Sequence, residues 1–166
     1  WVIPGTGIIL NNRLTGFSLD PASPNSIEPG KRPAHTLNAF TAVNPDGTLH
    51  LVGGTPGANI QVQTNLQLIV NIVDLKMNVQ EATEAPRWQH LNAPGQSSSE
   101  ETGSGVLEIE NRVSVAVLDE LRAKGHDVKA LTEWGHGSSV QLLQVLPNKT
   151  YAFGSDPRCE GHACGI

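Results

Sequence analysis

The stretch HLVGGTPGANIQVQTNLQLIV, His50 to Val70, decides how this chain folds. A short apolar strand runs into Gly53-Gly54-Thr55-Pro56-Gly57-Ala58. Leu66, Ile69, Val70 and Val73 then recur at helical spacing. Glycine is wanted where φ must be unusual or where backbone must approach something closely. A strand feeding a helix N-terminus leaves several N–H donors unpaired, and such donors suit an anion or a developing oxyanion. A tight turn with no further role is the plainer alternative for an isolated Gly-rich turn.

Upstream, LNAFTAV (Leu37–Val43) and TLHLV (Thr48–Val52) read as strands joined by Asn44-Pro45-Asp46-Gly47, a hairpin signal. GIIL (Gly7–Leu10) reads as a buried strand. The segment NNRLTGFSLDPASPNSIEPGKRP is long, polar and rich in Pro, Asn, Ser and Gly; loops of that length inside compact domains are functional or disordered. Downstream, Asn78 followed by Glu81 looks like a helix start. That helix, VQEATEA, must stop before Pro86. Gln96 to Gly105 reads as a mobile surface loop. VLEIE is a strand, SVAVLDELRAKG an amphipathic helix closed by Gly125, and HDVKAL, SSVQLLQVL and YAFG complete the sheet. Antiparallel strands with helices segregated between them predict an α+β layered domain spanning residues 1–166.

The composition narrows the function. A chain of 166 residues can bury a real core, and 17 Gly with 11 Pro argue against a helix bundle. A net charge of -5 and the lack of a basic run exclude nucleic acid as the expected partner. The most apolar run, LQLIVNIVDL, is broken by Asn71 and Asp74 and is too short to span a bilayer. The chain opens at Trp1 on apolar sequence without an initiating Met, which reads as a processed or truncated piece of something larger. Cys159 and Cys164 in CEGHAC allow a local disulfide, a Cys/His metal site short of one ligand, or two free thiols. The disulfide is favoured and would suit a periplasmic or extracellular protein. No metal or other cofactor is expected.

The usual catalytic signatures are missing from the sequence: no HExxH, P-loop or dinucleotide fingerprint, and no GxSxG elbow. His136, in GHGSS, reads as part of a turn entering a strand. Glu100-Glu101 reads as a solvated loop tip. The residues alone describe a donor turn without its nucleophile.

Five blocks then carry a resemblance. PGTGIILNNRLTGFSLDP, PNSIEPGKRPAHTL, GGTPGANIQVQTNLQLIVN, EATEAPRW and GSDPR resemble, in order and spacing, the small subunit of the gamma-glutamyltransferase family. The resemblance implies an N-terminal-nucleophile hydrolase fold, a four-layer αββα sandwich matured by self-cleavage, of which this chain is the small-subunit part. It places the nucleophilic Thr upstream of Trp1; Thr6 lies inside the PGTG block and is no substitute. It assigns the backbone N–H groups of Gly57 and Ala58 to the oxyanion hole.

The departures concern substrate. The positions that in the family grip the α-ammonium of a glutamyl group carry Arg13 and Gly16 here. Those that hold its α-carboxylate carry His35 and Thr36. Arg stays charged at any relevant pH and would repel an ammonium, whereas Arg13, His35 and Thr36 could receive a carboxylate. Asn12 is expected to hold the loop by hydrogen bonds to backbone, and Arg32 to be structural. The implied activity is amide hydrolysis or acyl transfer through an acyl-enzyme on a small amide or peptide, as in glutathione metabolism or in glutaryl-type acylases. The implied partners are the large subunit and the missing N-terminal segment of the same precursor, so the fragment alone is expected to be inactive. The rival is a non-catalytic remnant that serves assembly or binding.

Overall fold

Asn44 to Gly47 fold the chain back on itself as their types predict. The Asn44 N–H donates to Thr48 O (2.8 Å), the Gly47 N–H donates to Asn44 O (2.9 Å), and the Asp46 carboxylate accepts from the Thr48 hydroxyl at 2.6 Å. The flanking strands, β1 (Phe40–Val43) and β2 (Leu49–Gly54), pair antiparallel. The computed structural model describes residues 1–91 and 105–161, in two compact units, Trp1–Thr36 and Leu37–Ile166.

The second unit carries helices α1 (Gln61–Val73), α2 (Val79–Glu84) and α3 (Val115–Ala123), and strands β3 (Trp88–Leu91), β4 (Val106–Glu110), β5 (Asp127–Leu131), β6 (Gln141–Val145) and β7 (Tyr151–Ser155). One sheet runs β1-β2-β6-β7 and is antiparallel throughout. The other runs β3-β4-β5. The α+β class is as expected from the sequence. The strand directions are not uniformly so: β4 and β5 are parallel, because α3 carries the chain across between them. Asn78 and Glu81 form the reciprocal capping box, α2 ends before Pro86, and Gly125 takes φ 92° just past α3.

Leu51, Leu68, Ile72, Val79, Ala82, Val140 and Leu142 make one core cluster, filled out by Phe40, Ala42, Met77 and Ala152. It lies between the four-stranded sheet and helices α1 and α2. Gly154 of β7 permits this packing, because a Cβ there would collide with the Val79 carbonyl oxygen at the start of α2.

The helical period over α1 is as predicted, but its buried face is not. Gln61, Thr64, Asn65, Leu68 and Ile72 point inward, whereas Leu66 is 55 % exposed and Val73 46 %. Hydrogen bonds give the polar residues a reason to be inside. Asn65 Nδ2 donates to Asn38 O at 2.7 Å. Gln63 receives the His90 N–H at 2.8 Å and donates to His90 O at 3.0 Å. Gln67 makes the same double contact with Trp88, at 3.1 and 2.9 Å. Two glutamines one helical turn apart thus stand where a neighbouring strand would, and satisfy the open edge of β3. Gln80 of α2 does likewise for Ser155 of β7, at 3.0 Å in both directions.

Glu110 and Asp156, both fully buried, anchor the unit. Arg158 grips Glu110 through Nε and Nη2, each at 2.6 Å, and Asp156 through Nη1 at 2.9 Å. Arg87 pairs with Asp156 at 2.6 Å, and Arg112 with Glu110 at 2.8 Å. The same three guanidiniums cap the end of α2: Arg87 donates to Thr83 O (2.8 Å), Arg112 to Glu84 O (2.6 Å) and Arg158 to Ala85 O (3.0 Å). Cations belong at a helix C-terminus, where unpaired carbonyls carry partial negative charge. The Trp134 ring lies under Arg112, 3.6 Å from centroid to guanidinium.

The first unit corrects one expectation. Gly7–Leu10 is not a buried strand. It returns beside Trp1–Ile3 through a single antiparallel bridge, Val2 to Ile9, with Ile9 76 % exposed. The expected loop at 96–105 and the Cys159–Cys164 pairing fall wholly or partly outside the described residues; Cys159 itself is half-buried.

Replacing Asp156 by Asn strands buried Arg87 and part of Arg158, and should lower the unfolding free energy of the full-length protein by about 3–5 kcal/mol. Glu120→Gln, at the exposed Lys124 pair (2.7 Å), should change it by less than about 0.5 kcal/mol. Denaturant titration of the two variants checks both.

Candidate functional site

The turn Thr55-Pro56-Gly57-Ala58 leaves β2 and opens a short 3-10 turn, Ala58–Ile60, that runs directly into α1. Gly57 has φ 140° and Ala58 φ 49°. The first suits glycine and the second is open to alanine at some cost in strain. Gly57 is half-buried and Ala58 exposed. Among the described residues the N–H groups of both have no acceptor. Two unpaired amides at the entrance of a helix are what stabilisation of an oxyanion needs.

Behind the turn lies a buried polar chain that sequence reasoning missed. Ser138 Oγ sits 2.7 Å from His136 Nδ1 and 3.1 Å from Thr64 Oγ1. The Ser138 amide also donates to His136 Nδ1, at 3.2 Å. Nδ1 therefore offers a lone pair and the neutral ring carries its proton on Nε2. Burial, first, and the nearby guanidinium of Arg87 push the His136 pKa down to about 4; Glu110 opposes and Arg158 reinforces the shift. The ring is neutral at physiological pH. The doubled small polar residues in GHGSS were the only sequence sign of this arrangement. Burial alone would raise the Glu110 carboxyl, but the Arg158 fork, the Arg87 amide and Arg112 outweigh it and hold it below the ordinary carboxylate range.

The remaining candidates lie in the first unit. Arg13 opens a 3-10 turn, Arg13–Gly16, and is exposed; its guanidinium makes no ion pair among the described residues. Gly16 abuts Pro33 and Ala34, and so brings that turn beside the chain leading to exposed His35 and half-buried Thr36. A Cβ at Gly16 would stand 2.7 Å from Ala34 O. This glycine thus has a packing reason to be there, apart from any substrate. Asn25 braces the same place, donating to Gly16 O and accepting from the Ala34 N–H at 3.1 Å. The Asn12 carbonyl accepts from the Thr15 amide and hydroxyl, at 3.1 and 2.8 Å. The side chain that holds this loop is that of Asn11, which accepts from the Arg13 N–H at 2.9 Å. Arg32 makes no hydrogen bond or ion pair among the described residues; its neighbour Lys31 pairs with Glu28 at 3.1 Å. Glu100 and Glu101 lie outside the described residues, within which no cluster of His, Cys, Asp and Glu could hold a metal.

A family model described as gamma-glutamyltranspeptidase matches residues 1–166. The oxamate amidohydrolase proenzyme of Klebsiella pneumoniae is 36% identical over 99% of this chain and 30% of its own length. The acylase ACY 1 proenzyme of Pseudomonas sp. (strain V22) is 40% identical over 97% of this chain and 25% of its own length. The chain thus spans less than a third of either relative. Among solved structures, the gamma-glutamyltranspeptidase from Pseudomonas nitroreducens complexed with L-DON superposes with a TM-score of 0.74 and 26% identity, covering 100% of this chain and 86% of that one.

The depressed pKa of His136 sets a pH dependence. The unfolded chain binds a proton at about pH 6.5 and the folded one only near 4, so the stabilising contribution is complete above pH 6.5 and lost as pH falls to 4. The loss should approach ~3 kcal/mol. Denaturant titrations of the full-length protein between pH 8 and pH 4 should show it, and His136→Asn, which keeps an acceptor near Nδ1 but does not titrate, should flatten that part of the curve.

Proposed function

Because the chain belongs to the gamma-glutamyltranspeptidase family, we propose that it is the oxyanion-stabilising and acyl-binding part of an amide hydrolase or acyltransferase of the N-terminal-nucleophile type. A threonine outside this chain supplies the nucleophilic hydroxyl, its own α-amine serves as base, and an acyl-enzyme forms and passes its acyl group to water or an amine. The amides of Gly57 and Ala58 receive the charge that develops on the carbonyl oxygen. The observation that carries this reading is the pair of amides with no acceptor, held in left-handed backbone at the entrance of α1. The remainder of the precursor, including a large subunit, is the partner that completes the site. The proenzyme names of the relatives support a cleaved precursor.

For substrate, we infer an acyl group that carries a carboxylate and lacks an α-amine. Arg13 has a guanidinium without an ion pair among the described residues, and the turn it opens abuts Pro33 and Ala34, which lead to His35 and Thr36. An oxamate amidohydrolase among the relatives supports this preference, because oxamate is an amide with a carboxylate and no α-amine.

Gly57→Ala would put a methyl 2.8 Å from Ile60 Cγ1 at φ 140°, so the turn must move. In the mature full-length enzyme it should lower kcat on an anilide by about 10²- to 10³-fold with a smaller effect on KM. Ala58→Gly keeps the N–H and should retain activity within a few-fold. Equal kcat in wild type and Gly57→Ala would rule out the oxyanion role.

Arg13→Glu should shift the ratio of kcat/KM for glutaryl over γ-glutamyl anilide towards glutamyl by roughly 5-fold or more, since like charges at ~4 Å are disfavoured by about 1 kcal/mol in water. The substitution leaves Gly16 in place because of the Ala34 carbonyl. An unmoved ratio would mean that Arg13 does not read the substrate.

A further inference from the structure

A strained turn persists only where its surroundings over-determine it. In the Gly57–Ala58 turn the carbonyls accept from the Ile60 and Gln61 N–H groups, but the two amides have no acceptor among the described residues, so where they point depends on what lies behind the turn. A methyl built on Gly57 would meet Ile60 Cγ1 at 2.8 Å and Ser138 Cβ at 3.5 Å. Ile60 belongs to the turn itself and moves with it. Ser138 does not: it comes from the segment entering β6, and is 1 % exposed.

Ser138 is itself fixed on several sides. Its N–H donates to His136 Nδ1 (3.2 Å), and its hydroxyl proton has the same nitrogen as acceptor at 2.7 Å. With that proton committed, the oxygen accepts from the Thr64 hydroxyl at 3.1 Å and from Arg87 Nη1 at 3.4 Å. Its carbonyl takes a second bond from Arg87, at 3.0 Å. Thr64 is fully buried in the first turns of α1, the helix that the donor turn opens. Arg87 is held by Asp156. One small side chain thus joins the back of the donor turn, the start of α1 and the buried ion network.

We propose that Ser138 is a positioning residue for the amide-cleaving reaction: its Cβ backs Gly57, and its hydroxyl, locked between His136 and Thr64, fixes where the amides of Gly57 and Ala58 point. This rests on the reading of those amides as the oxyanion donors. Ser138 touches no reacting atom and acts only through the turn. Its loss should therefore appear in the step where the oxyanion forms and not in substrate affinity, since oxyanion contacts strengthen only as charge develops. A displacement of the order of 1 Å is enough to cost up to about 10²-fold in rate.

The test uses the mature full-length enzyme and an anilide substrate. Ser138→Ala removes the hydroxyl. Thr64→Val removes its partner at nearly constant shape, and Thr64→Ser restores that hydroxyl. Ser138→Ala and Thr64→Val should each lower kcat by about tenfold while KM stays within about twofold. Thr64→Ser should be close to wild type, and the double variant Ser138→Ala/Thr64→Val no worse than the poorer single one. If Ser138→Ala fails to mature, the Thr64 pair carries the comparison. Unchanged kcat in folded Ser138→Ala and Thr64→Val, with only a lower melting temperature, would overturn the inference, as would losses that multiply in the double variant. Gly57→Ala separates the two readings. If it still abolishes turnover while Ser138→Ala does not, the oxyanion assignment stands and the positioning role falls. If Gly57→Ala leaves kcat intact, the oxyanion assignment itself falls.

Discussion

Two buried carboxylates, Glu110 and Asp156, hold three guanidiniums, and the rest of the second unit is arranged around that contact. Charges removed from water are costly unless each is paired and its remaining donors are satisfied. Here they are. The forks of Arg87, Arg112 and Arg158 spend their spare N–H groups on the last carbonyls of α2. The Glu110 oxygens take, besides guanidinium N–H groups, the backbone N–H groups of Arg87 and His136, and Asp156 takes that of Val140. Glu110 ends β4, Asp156 follows β7 and Arg87 precedes β3, so one network joins both sheets to the end of one helix.

The donor turn inherits that rigidity. Arg87 reaches Ser138, Ser138 reaches Thr64, and Thr64 belongs to the helix that Gly57 and Ala58 introduce. Energy is concentrated where charge is buried, and the turn proposed to receive an oxyanion is tied to it through Ser138 and Thr64. Three glutamines do quieter work at the margins. Gln63 and Gln67 close the edge of β3, and Gln80 that of β7, so backbone groups that would otherwise invite pairing are satisfied within the unit.

Much of this was legible in the sequence, and the exceptions have physical causes. The NPDG hairpin, the Asn78–Glu81 capping box and the strand-to-helix passage through Gly57 follow from local chemistry and stand as read. The inward face of α1 could not be read from hydrophobic spacing, because Thr64 and Asn65 are inside for their hydrogen bonds, Gln61 is buried beside them and Leu66 is outside. Strand β3, WQHL, gives no alternating signal; it is a strand because Gln63 and Gln67 meet one of its edges and β4 the other. Blocks EATEAPRW and GSDPR were useful as marks of kinship. Their reason is now visible in Arg87, Asp156 and Arg158, which the sequence could not pair because about 70 positions separate the first from the other two. Of the candidate site residues, Gly57 and Ala58 both take positive φ, at 140° and 49°. Gly16 has gained a packing role against Ala34 that weakens any inference from its lack of a carboxylate.

The proposed chemistry turns on whether the Gly57 and Ala58 amides receive the oxyanion. A crystal structure of the mature full-length enzyme carrying a tetrahedral adduct, such as a boronate on the nucleophilic hydroxyl, tests it most directly. If they do, the adduct oxygen lies within about 3 Å of both amide nitrogens, with the turn and Ser138 unmoved. An adduct oxygen that faces solvent, or is held by other donors with these two amides unoccupied, would contradict it.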